Sequence, residues 1–595
     1  MKRNSFFTSK AFLIIFSAVM CGWGIHAGPR LGDHESINAQ CARQAIEEGH
    51  WLIPRFQDQS RVRKSPLGIW LIAASSVVVD GVRGVEPVSE LAARLPQALA
   101  AVLNVLVIAW MGRRMYGDRA GRLAGWMAAV SVATIYFSHS ALIEMTLTLF
   151  ITLSFACFWR ACEEPKVSGK WLIGFYASFA MAMMAKMPLP LMIIAPPLFI
   201  YWVFLRPATM NPDETFETNA EEGATAQNLN WVDQLKAIPS LLSIPGILLF
   251  LLICGAWPLY VYLNVDGVLS LWQAEYMGRF SGEMDDRAMP FWYYIPIVFG
   301  FVAPFALFLG EGTIAVFLKP YAHRKHALGF LFAWAIWGLF FLSLSSFKRP
   351  HYVASIIPPF ILMMVPVVER MYFEASAYPK RIVNAFCDIC VIVIIALVFV
   401  GIANLKGKSF VSPSTLYVVV GLIAACWCGA AIAYRIDKRM ASLVLLIASG
   451  PVMLAAGWGG AAHMDANDQR IEAVTTALHD LGVTSEDKVV LVDGRVDARF
   501  PFYADLRIER LFTPVEVASM RTSRSEMPVE LLQAAADKMR DLITTNPRTF
   551  FIMDAQRFDY LSGDYDMPVA ELARVKLTKE KKGKSCVILG SETKS

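Results

Sequence analysis

The feature that most constrains this chain is a long series of apolar runs, each close to the roughly 20 residues that an α-helix needs to cross a bilayer. The runs follow one another over the first 461 residues, with only short polar segments between them. Charged residues make up 18% of the chain, against about 25% in a soluble protein. Because so few polar groups could not cover a soluble core, the sequence predicts a mainly α-helical protein that spans a membrane many times.

The runs predict about thirteen transmembrane helices. Their expected bounds are 11–28, 93–112, 119–137, 142–161, 170–187, 189–206, 241–263, 289–311, 328–346, 351–370, 381–404, 414–435 and 440–461. A shorter apolar run at 67–81 predicts a juxtamembrane helix. The first run also fits a cleaved signal peptide, although its length favours an uncleaved first span.

The basic residues predict an orientation in the membrane. With the span count above, most basic clusters fall on one side, at Lys2, Arg3, Lys10, Arg113, Arg114, Arg119, Arg122, Lys319, Arg324, Lys325, Arg370, Lys380, Arg381, Arg435, Lys438 and Arg439. The positive-inside rule places that side in the cytoplasm. We therefore expect a multi-pass protein of the cell (inner) membrane, with a cytoplasmic N-terminus and with 29–92, 264–288 and 462–595 outside. Lys406 and Lys408 run against this scheme.

The composition changes sharply after residue 461. KVVLVDG and RTFFIMD have the pattern of short apolar strands, whereas IEAVTTALHDL and PVELLQAAADKMRDLI have helical periodicity. The sequence therefore predicts a transmembrane domain over 1–461, whose outer loop 29–92 contains juxtamembrane helices, and a small soluble α/β domain over 462–595. The odd number of spans would hold this second domain outside the cell.

The first outer loop places acids and a lysine at the membrane interface. Asp33 and Glu35 follow the first span, residues 36–48 have the pattern of an amphipathic surface helix, and Lys64 precedes the return to the bilayer. Charges in such places often only mark the end of a span. A carboxylate and a lysine together also suit a reaction on a lipid-linked phosphate, because the carboxylate accepts a proton and the cation stabilises the leaving phosphate.

Three later outer positions carry further ionisable residues. Glu144 begins the fourth span, and an ionisable residue there is a candidate site residue by default. The other candidates are Glu275, Arg279, Asp285, Asp286 and Arg287 in the second outer loop, and Lys348, Arg349, His351 and Tyr352 in a short later loop. Lys348 and Arg349 could simply extend along the membrane surface, but arginine and lysine also suit a phosphate.

Other classes of site find little support in the sequence. Cys387 and Cys390 form a CxxC pair inside a predicted span without a second pair, so we interpret them as packed side chains and not as a metal or redox site. The formal net charge of +5 is small for this length and gives no indication of a nucleic-acid partner.

The first loop resembles that of the GT-C membrane glycosyltransferases, in the branch of the protein O-mannosyltransferases and the aminoarabinose transferases of lipid A. Those proteins carry an acidic pair after the first span, an AREM-like helix, a GDW..P segment and a KPPL-like return to the bilayer. The matching residues here are Asp33-His34-Glu35, Ala42-Arg43-Gln44, Gly49-His50-Trp51 with Pro54, and Lys64-Ser65-Pro66-Leu67. SELAARLPQALAAVLNV, RFSGEMDDRAMPFWYYIPIVFGFVAPF and SLSSFKRPHYVASIIPP resemble later segments in the same order, so the resemblance covers roughly residues 10–370.

The resemblance implies an inverting sugar transfer from a polyprenyl-phosphate donor to a hydroxyl of a lipid, glycan or protein acceptor. Asp33 or Glu35 would be the base, with Glu144 as a further acid of the site. Lys64, Arg279, Lys348 and Arg349 would hold the donor phosphate, and Tyr352 would hydrogen-bond to it. No cofactor is implied with certainty, and a divalent metal is not supported by the residues present.

The chain departs from the family pattern at three positions. His34 separates two acids that are adjacent in the family, which leaves both Asp33 and Glu35 as candidates for the base. Arg63 replaces the acid that precedes the family's lysine, and this weakens the case for a metal there. The acid at the entrance of the fourth span is Glu144 where the family has an aspartate.

Three other functions are compatible with parts of the pattern. A transporter or flippase of lipid-linked sugars would more often show internal repeats and polar residues near the middle of the bilayer. A structural or receptor-like protein that binds a polyanion would not need acids beside its basic residues. A polyprenyl-diphosphate oligosaccharide transferase is the nearest alternative with the same fold.

Overall fold

A computed structural model describes residues 9–57, 59–163, 167–206, 231–281, 289–346, 348–374, 413–467, 470–484, 486–492, 499–511, 529–564, 569–576 and 585–590. Several predictions lie outside these residues: the span 381–404, the Cys387–Cys390 pair, and Asp285, Asp286 and Arg287. Contacts divide the chain into two compact units. The membrane unit comprises Met1–Ala27, Trp51–Pro54 and Arg61–Trp458, and the C-terminal unit comprises Gly28–His50, Arg55–Ser60 and Gly459–Ser595.

The described chain is mostly helical. In chain order its helices are α1 (Lys10–Gly22), α2 (Asp33–Glu48), α3 (Leu67–Arg83), α4 (Glu90–Tyr116), α5 (Asp118–Ala129), α6 (Val132–Ser138), α7 (Glu144–Cys162), α8 (Gly169–Lys186), α9 (Leu189–Ile200), α10 (Trp231–Lys236), α11 (Ile244–Asn264), α12 (Val268–Ser281), α13 (Tyr294–Phe301), α14 (Leu309–Ile314), α15 (Lys325–Leu344), α16 (Ile357–Phe373), α17 (Pro413–Arg435), α18 (Arg439–Asn467), α19 (Arg470–Asp480), α20 (Arg499–Ala504), α21 (Val529–Thr545) and α22 (Ala555–Asp564). Its strands are β1 (Arg55–Phe56), β2 (Gln59–Ser60), β3 (Lys488–Leu491), β4 (Ile508–Arg510), β5 (Thr549–Asp554), β6 (Ala570–Lys576) and β7 (Ser585–Gly590).

The membrane unit confirms the predicted class of a mainly α, multi-pass membrane protein. Among the described residues, six helical segments are long and apolar enough to cross a bilayer: Glu90–Tyr116, Glu144–Cys162, Ile244–Asn264, Lys319–Leu344, Pro350–Phe373 and Arg439–Ala461. Shorter apolar helices lie between them. The predicted count of thirteen spans is not confirmed, in part because several apolar runs are not single straight helices.

Two predicted spans are broken by local chemistry. The run 289–311 forms α13, a one-turn 3₁₀ segment at Ala306–Phe308 and the start of α14, instead of one helix. Pro304 lies at the break, where proline lacks the N–H that a continuous helix needs. The run 119–137 divides into α5 and α6, because the Ser131 hydroxyl accepts the Thr134 N–H and so begins a new helix.

Helix α7 lies in the interior of the membrane unit. Within its apolar window 83% of the residues are buried, compared with 22% for α11. The ring of Phe155 stacks on Trp334 of α15 with 3.9 Å between centroids. Since α11 leaves most of its surface to the lipid and α7 almost none, a charged residue at the start of α7 is enclosed by protein.

The C-terminal unit contains a five-stranded mixed sheet in the order β4-β3-β5-β7-β6. Strand β3 pairs in parallel with β4 and β5, whereas β7 is antiparallel to β5 and β6. Apolar residues on both sides of the sheet form two clusters, one around Met539 and Phe551 and one around Val489 and Ile588. The predicted C-terminal α/β fold is confirmed, and the strands and helices expected from KVVLVDG, RTFFIMD, IEAVTTALHDL and PVELLQAAADKMRDLI are β3, β5, α19 and α21.

Candidate active site

A buried ion pair joins the start of α7 to the end of α8. The Nζ of Lys186 lies 2.7 Å from Oε1 of Glu144, and the side chains are 20% and 5% exposed. Glu144 is the first residue of its helix and Lys186 the last of the next one. Both charges complement the helix dipoles, because acids are stabilised at N-termini and cations at C-termini.

Two further groups of the membrane unit face this pair. The Nε2 of His351 lies 3.6 Å from Oε1 of Glu144, and the Lys186 ammonium lies 4.7 Å from the centre of the Tyr352 ring. Lys64 is close enough to interact electrostatically with both Glu144 and His351. The structure thus brings together four residues that the sequence singled out (Lys64, Glu144, His351 and Tyr352) around Lys186, which it did not.

Three tryptophans fix the segments that lead to Lys64. The indole N–H groups of Trp70, Trp257 and Trp272 donate to the backbone carbonyls of Trp51, Leu52 and Val62, at 2.7, 2.8 and 2.8 Å. A buried tryptophan normally finds such a partner for its N–H. These bonds tie the turn before α3 to helices α11 and α12, so Lys64 is held in place although its side chain is exposed.

The segment that carries Lys348 and Arg349 forms a short turn before α16. Lys348 is 7% exposed, and its ammonium donates to the carbonyl of Met289 at 3.1 Å and to that of Ser345. Burial lowers the pKa of the Lys348 amine from its usual value. The Arg349 backbone N–H donates to the Tyr294 hydroxyl at 3.2 Å. A 3₁₀ segment at Pro350–Ile356 then places His351 and Tyr352 beside Glu144.

Basic side chains gather in this cluster. Lys64 and Lys186 interact electrostatically with the carboxylate of Glu144, and Arg349 lies within electrostatic reach of His351. Lysine and arginine at the entrance of a span are the groups that a lipid phosphate would need.

Asp33, His34 and Glu35 belong to the C-terminal unit. They form the first turn of α2, which begins three residues before the helix expected at 36–48. One carboxylate oxygen of Glu35 accepts the Gly32 backbone N–H at 2.7 Å and so caps the helix. Asp33 is half-buried and His34 is exposed.

The remaining predicted residues have different positions. Arg63 is exposed beside Lys64, and Glu275 is 6% exposed on α12. Arg279 lies near the end of α12, but its side chain is outside the described part of the chain. Lys186 was missed because it ends an apolar run and looks like an ordinary span boundary. The available signal was an ionisable residue directly before the Met187-Pro188-Leu189-Pro190 turn.

Comparison with known sequences supports the resemblance drawn from the motifs. Residues 63–211 match the family described as dolichyl-phosphate-mannose-protein mannosyltransferase. This segment is about a quarter of the chain. It contains Lys64, Glu144 and Lys186, and therefore most of the charged cluster described above.

Curated relatives share a longer stretch at low identity. The chain is 25% identical over 336 residues to an undecaprenyl phosphate-α-4-amino-4-deoxy-L-arabinose arabinosyl transferase of Pseudomonas fluorescens, which covers 56% of this chain and 54% of the relative. It is 23% identical over 421 residues to the corresponding transferase of Shewanella sediminis, which covers 69% of each. The chain thus matches little more than half the length of the first relative.

The fold resembles that of a solved structure along almost its whole length. A crystal structure of ArnT from Cupriavidus metallidurans bound to undecaprenyl phosphate superposes with a TM-score of 0.71 and covers 97% of both chains at 16% identity. The chain is therefore a multi-pass membrane protein with the GT-C fold. The sequence similarity supports the resemblance to the aminoarabinose transferases and mannosyltransferases that the first-loop motifs indicated.

Proposed function

We propose that this protein transfers a sugar from a polyprenyl-phosphate donor to an acceptor hydroxyl at the outer face of the membrane, with inversion of the anomeric carbon. The observation that carries the proposal is the charged cluster around Glu144 and Lys186. A lipid phosphate brings its negative charge to the membrane surface, and this cluster places the ammonium groups of Lys186 and Lys64 near Glu144 at the start of a span. The relatives named above take their sugar from undecaprenyl phosphate, which is a donor of this class.

The roles of the basic residues follow from what the leaving group needs. As the bond between sugar and phosphate breaks, negative charge grows on the phosphate, and fixed cations stabilise it. Lys64, Lys186 and Arg349 supply charge near the cluster, and Lys348 supplies a buried ammonium in the neighbouring turn. Tyr352 presents its ring to Lys186 and would offer its hydroxyl to the phosphate.

The orientation is supported by the charges at the two ends of α7. At the end remote from Glu144, Arg114 pairs with Glu163 at 2.7 Å and Arg160 lies 3.5 Å from the same acid. The 19 residues of α7 separate the two ends by about 28 Å, which is close to the thickness of the hydrocarbon core. By the positive-inside rule the arginine-rich end is the cytoplasmic one, and the Glu144 end is then the outer one.

Asp33 is the proposed base. Glu35, one of whose carboxylate oxygens caps α2, is the alternative. In the proposed step the Asp33 carboxylate removes the proton from the acceptor hydroxyl. The hydroxyl oxygen bonds to the anomeric carbon while the carbon–oxygen bond to phosphate breaks on the opposite face. The products are the glycosylated acceptor, polyprenyl phosphate and a protonated Asp33.

The direct test is transfer by the purified protein in lipid vesicles with radiolabelled polyprenyl-phosphate sugars. Asp33→Asn is expected to reduce transfer by at least about a hundred-fold, the scale of a lost general base. Glu35→Gln is expected to retain more activity. Asp437→Asn is the matched control, because Asp437 is an exposed acid that pairs with Arg439 in the turn between α17 and α18.

The same experiment separates the competing functions. Movement of labelled lipid across the vesicle without transfer to any acceptor would favour a flippase and contradict the proposal. Full activity of Asp33→Asn would contradict the assignment of Asp33 as the base, and full activity of Glu35→Gln as well would exclude both acids. Loss of activity in Asp437→Asn to the same extent as in Asp33→Asn would show that the assay reports folding and not chemistry.

A further inference from the structure

The loop that carries the proposed base is held by residues from the far end of the sequence. Backbone N–H groups usually bond to neighbouring turns or helices. Just before α2, the N–H of Arg30 instead donates to the Asp465 carboxylate at 3.1 Å, and the N–H of Leu31 donates to the Tyr503 hydroxyl at 2.6 Å. Both acceptors lie more than 430 positions away in sequence, in the same C-terminal unit.

The Arg30 side chain strengthens the first of these contacts. Its Nε lies 3.1 Å from each carboxylate oxygen of Asp465, and its Nη2 donates to the Asp465 carbonyl at 3.0 Å. Charge-assisted bonds of this kind are stronger and more directional than neutral ones. Asp465 lies in the last turn of α18, so the helix end and the loop are joined by four hydrogen bonds.

A second group of contacts holds the middle of α2. The Arg43 guanidinium lies 4.6 Å from the centre of the Phe502 ring and donates to the Phe502 carbonyl at 3.0 Å. It also lies 3.6 Å from an Asp505 oxygen. Phe502, Tyr503 and Asp505 are neighbours at the end of α20, so this one helix end contacts both the start and the middle of α2.

The end of the same loop is attached to the edge of the sheet. The Ile508 N–H at the start of β4 donates to the Gln57 side chain at 2.9 Å, and the Gln57 N–H donates to Gln44 of α2 at 2.8 Å. The sequence predicted one outer domain after residue 461 and a separate loop after the first span. In the structure two parts of this loop, Gly28–His50 and Arg55–Ser60, belong to the same compact unit as the C-terminal segment.

We propose that the C-terminal domain fixes the start of α2, and with it Asp33, through Asp465 and Tyr503, so that these two residues position the proposed base. The inference rests on the proposed function, because it assumes that Asp33 acts in the reaction. The two contacts fix the residues that directly precede Asp33, so their loss lets the carboxylate move without removing it. Misplacing a reacting group by about 1 Å can cost a hundred-fold in rate.

The test compares Tyr503→Phe with a control in the same domain. Tyr503→Phe removes only the hydroxyl that accepts the Leu31 N–H. We expect kcat to fall by about ten- to a hundred-fold. The KM for the polyprenyl-phosphate donor should stay within about two-fold of that of the unaltered protein, since the residues proposed to bind the phosphate are unchanged. Asp487→Asn breaks an ion pair with Arg548 elsewhere in the domain and is expected to leave kcat unchanged.

Two further measurements distinguish positioning from a general loss of structure. In the Asp33→Asn background, Tyr503→Phe should cause little additional loss, because a positioning residue acts through the group that it positions. Hydrogen exchange at residues 31–36 should accelerate in Tyr503→Phe and not in Asp487→Asn. Asp465→Asn serves as the second variant and should give the same pattern through Arg30.

The inference is overturned if Tyr503→Phe and Asp465→Asn retain full kcat, if their effect adds fully to that of Asp33→Asn, or if Asp487→Asn loses as much kcat as they do. The exchange measurement needs no activity. If the unaltered protein shows no transferase activity but Tyr503→Phe accelerates exchange at residues 31–36, the proposed function is rejected and the attachment of the loop stands. If Tyr503→Phe leaves this exchange unchanged, the attachment itself is rejected.

Discussion

Lys186 and Glu144 lie 2.7 Å apart, Nζ to Oε1, across the adjoining ends of two consecutive antiparallel helices. Each charge is stabilised by the dipole of its own helix, because the acid lies at an N-terminus and the lysine at a C-terminus. The pair alone would be a structural contact, because acids and lysines at helix ends often pair. The basic residues around the pair favour a phosphate site. Whether Lys186 only stabilises the fold or also binds the donor phosphate can be measured.

We predict that Lys186→Met destabilises the protein and abolishes donor binding. Removing one partner of a buried pair costs about 3–5 kcal/mol, because it leaves the Glu144 charge buried without its ammonium. The double variant Glu144→Gln with Lys186→Met should regain most of the melting temperature lost in Lys186→Met, since neither charge of the pair remains. Thermal unfolding in detergent measures the first effect, and binding of radiolabelled polyprenyl phosphate measures the second.

The double variant gives the decisive comparison. Recovered stability without recovered binding is expected if Lys186 contacts the donor phosphate. Recovery of both stability and donor binding would mean that the pair only supports the fold.

Much of the membrane unit could be predicted from the sequence because the bilayer leaves few alternatives. A run of about 20 apolar residues must form a helix, since unpaired backbone groups are too costly in lipid. The expected spans at 142–161 and 170–187 agree within two residues with α7 and α8. The prediction of one span over 289–311 was wrong, because the hydrophobicity of a run does not reveal a break such as the one at Pro304.

The candidate site was only partly predictable, for a different physical reason. Glu144 and His351 are separated by more than 200 positions, and only the packing of α7 against the turn before α16 makes them neighbours. Lys186 has no local pattern that distinguishes it from a span boundary. The attachment of the first loop to Tyr503 was not predictable either, because a single hydroxyl and one backbone N–H leave no periodicity in the sequence.

We predict that donor binding weakens at alkaline pH and that Lys348 sets part of this dependence. Burial lowers the pKa of Lys348, so the amine loses its proton at a lower pH than a free lysine, whose pKa is about 10.4. Only the protonated amine attracts phosphate. The donor KM should therefore rise as the pH rises through the lowered pKa of Lys348.

The control for this prediction is Lys348→Arg, which keeps the charge at every accessible pH. It should shift the alkaline rise of the donor KM to higher pH or remove it. An alkaline profile identical in Lys348→Arg and the unaltered protein would exclude Lys348 as its source.

We also predict that the C-terminal domain loses stability in acid through Asp487. Burial alone would raise the pKa of this carboxyl, but hydrogen bonds from Thr484 and Arg548 outweigh burial and hold the pKa below its usual value. A carboxyl whose pKa is lower in the folded state stabilises the fold above its unfolded pKa of about 3.9. That contribution is lost as the pH falls from about 4 through the lower folded pKa.

Arg548→Gln should reduce this acid dependence, because Arg548 lies 2.6 Å from Asp487, while the hydrogen bonds from Thr484 remain. Hydrogen exchange at β3 and β5, measured at several pH values, reports the local stability of the domain. Arg540→Gln is the matched control, since its pair with Asp537 is exposed and such pairs contribute at most about 1 kcal/mol. Equal acid sensitivity of the Arg548→Gln variant and the unaltered protein would contradict the role of the pair.

The last prediction concerns the end of the first span, where the chain leaves the membrane unit. Gly24 has a φ of +77°, and a Cβ at this position would lie 2.7 Å from Nε1 of Trp458. That indole donates to the Gly24 carbonyl at 3.1 Å, and its ring packs against His139 with 4.7 Å between centroids. Gly24→Ala therefore strains the backbone and displaces the indole together, and we expect a loss of about 1–3 kcal/mol.

Gly22, two residues earlier, is the matched control for Gly24. It ends α1 in a helical conformation with nothing within 4 Å of an added Cβ. Gly22→Ala should therefore be neutral or slightly stabilising, because alanine is the better helix former. Thermal unfolding of the two variants side by side measures the difference. Equal melting temperatures would show that the Trp458 contact and the positive φ of Gly24 contribute nothing to stability at this point of the chain.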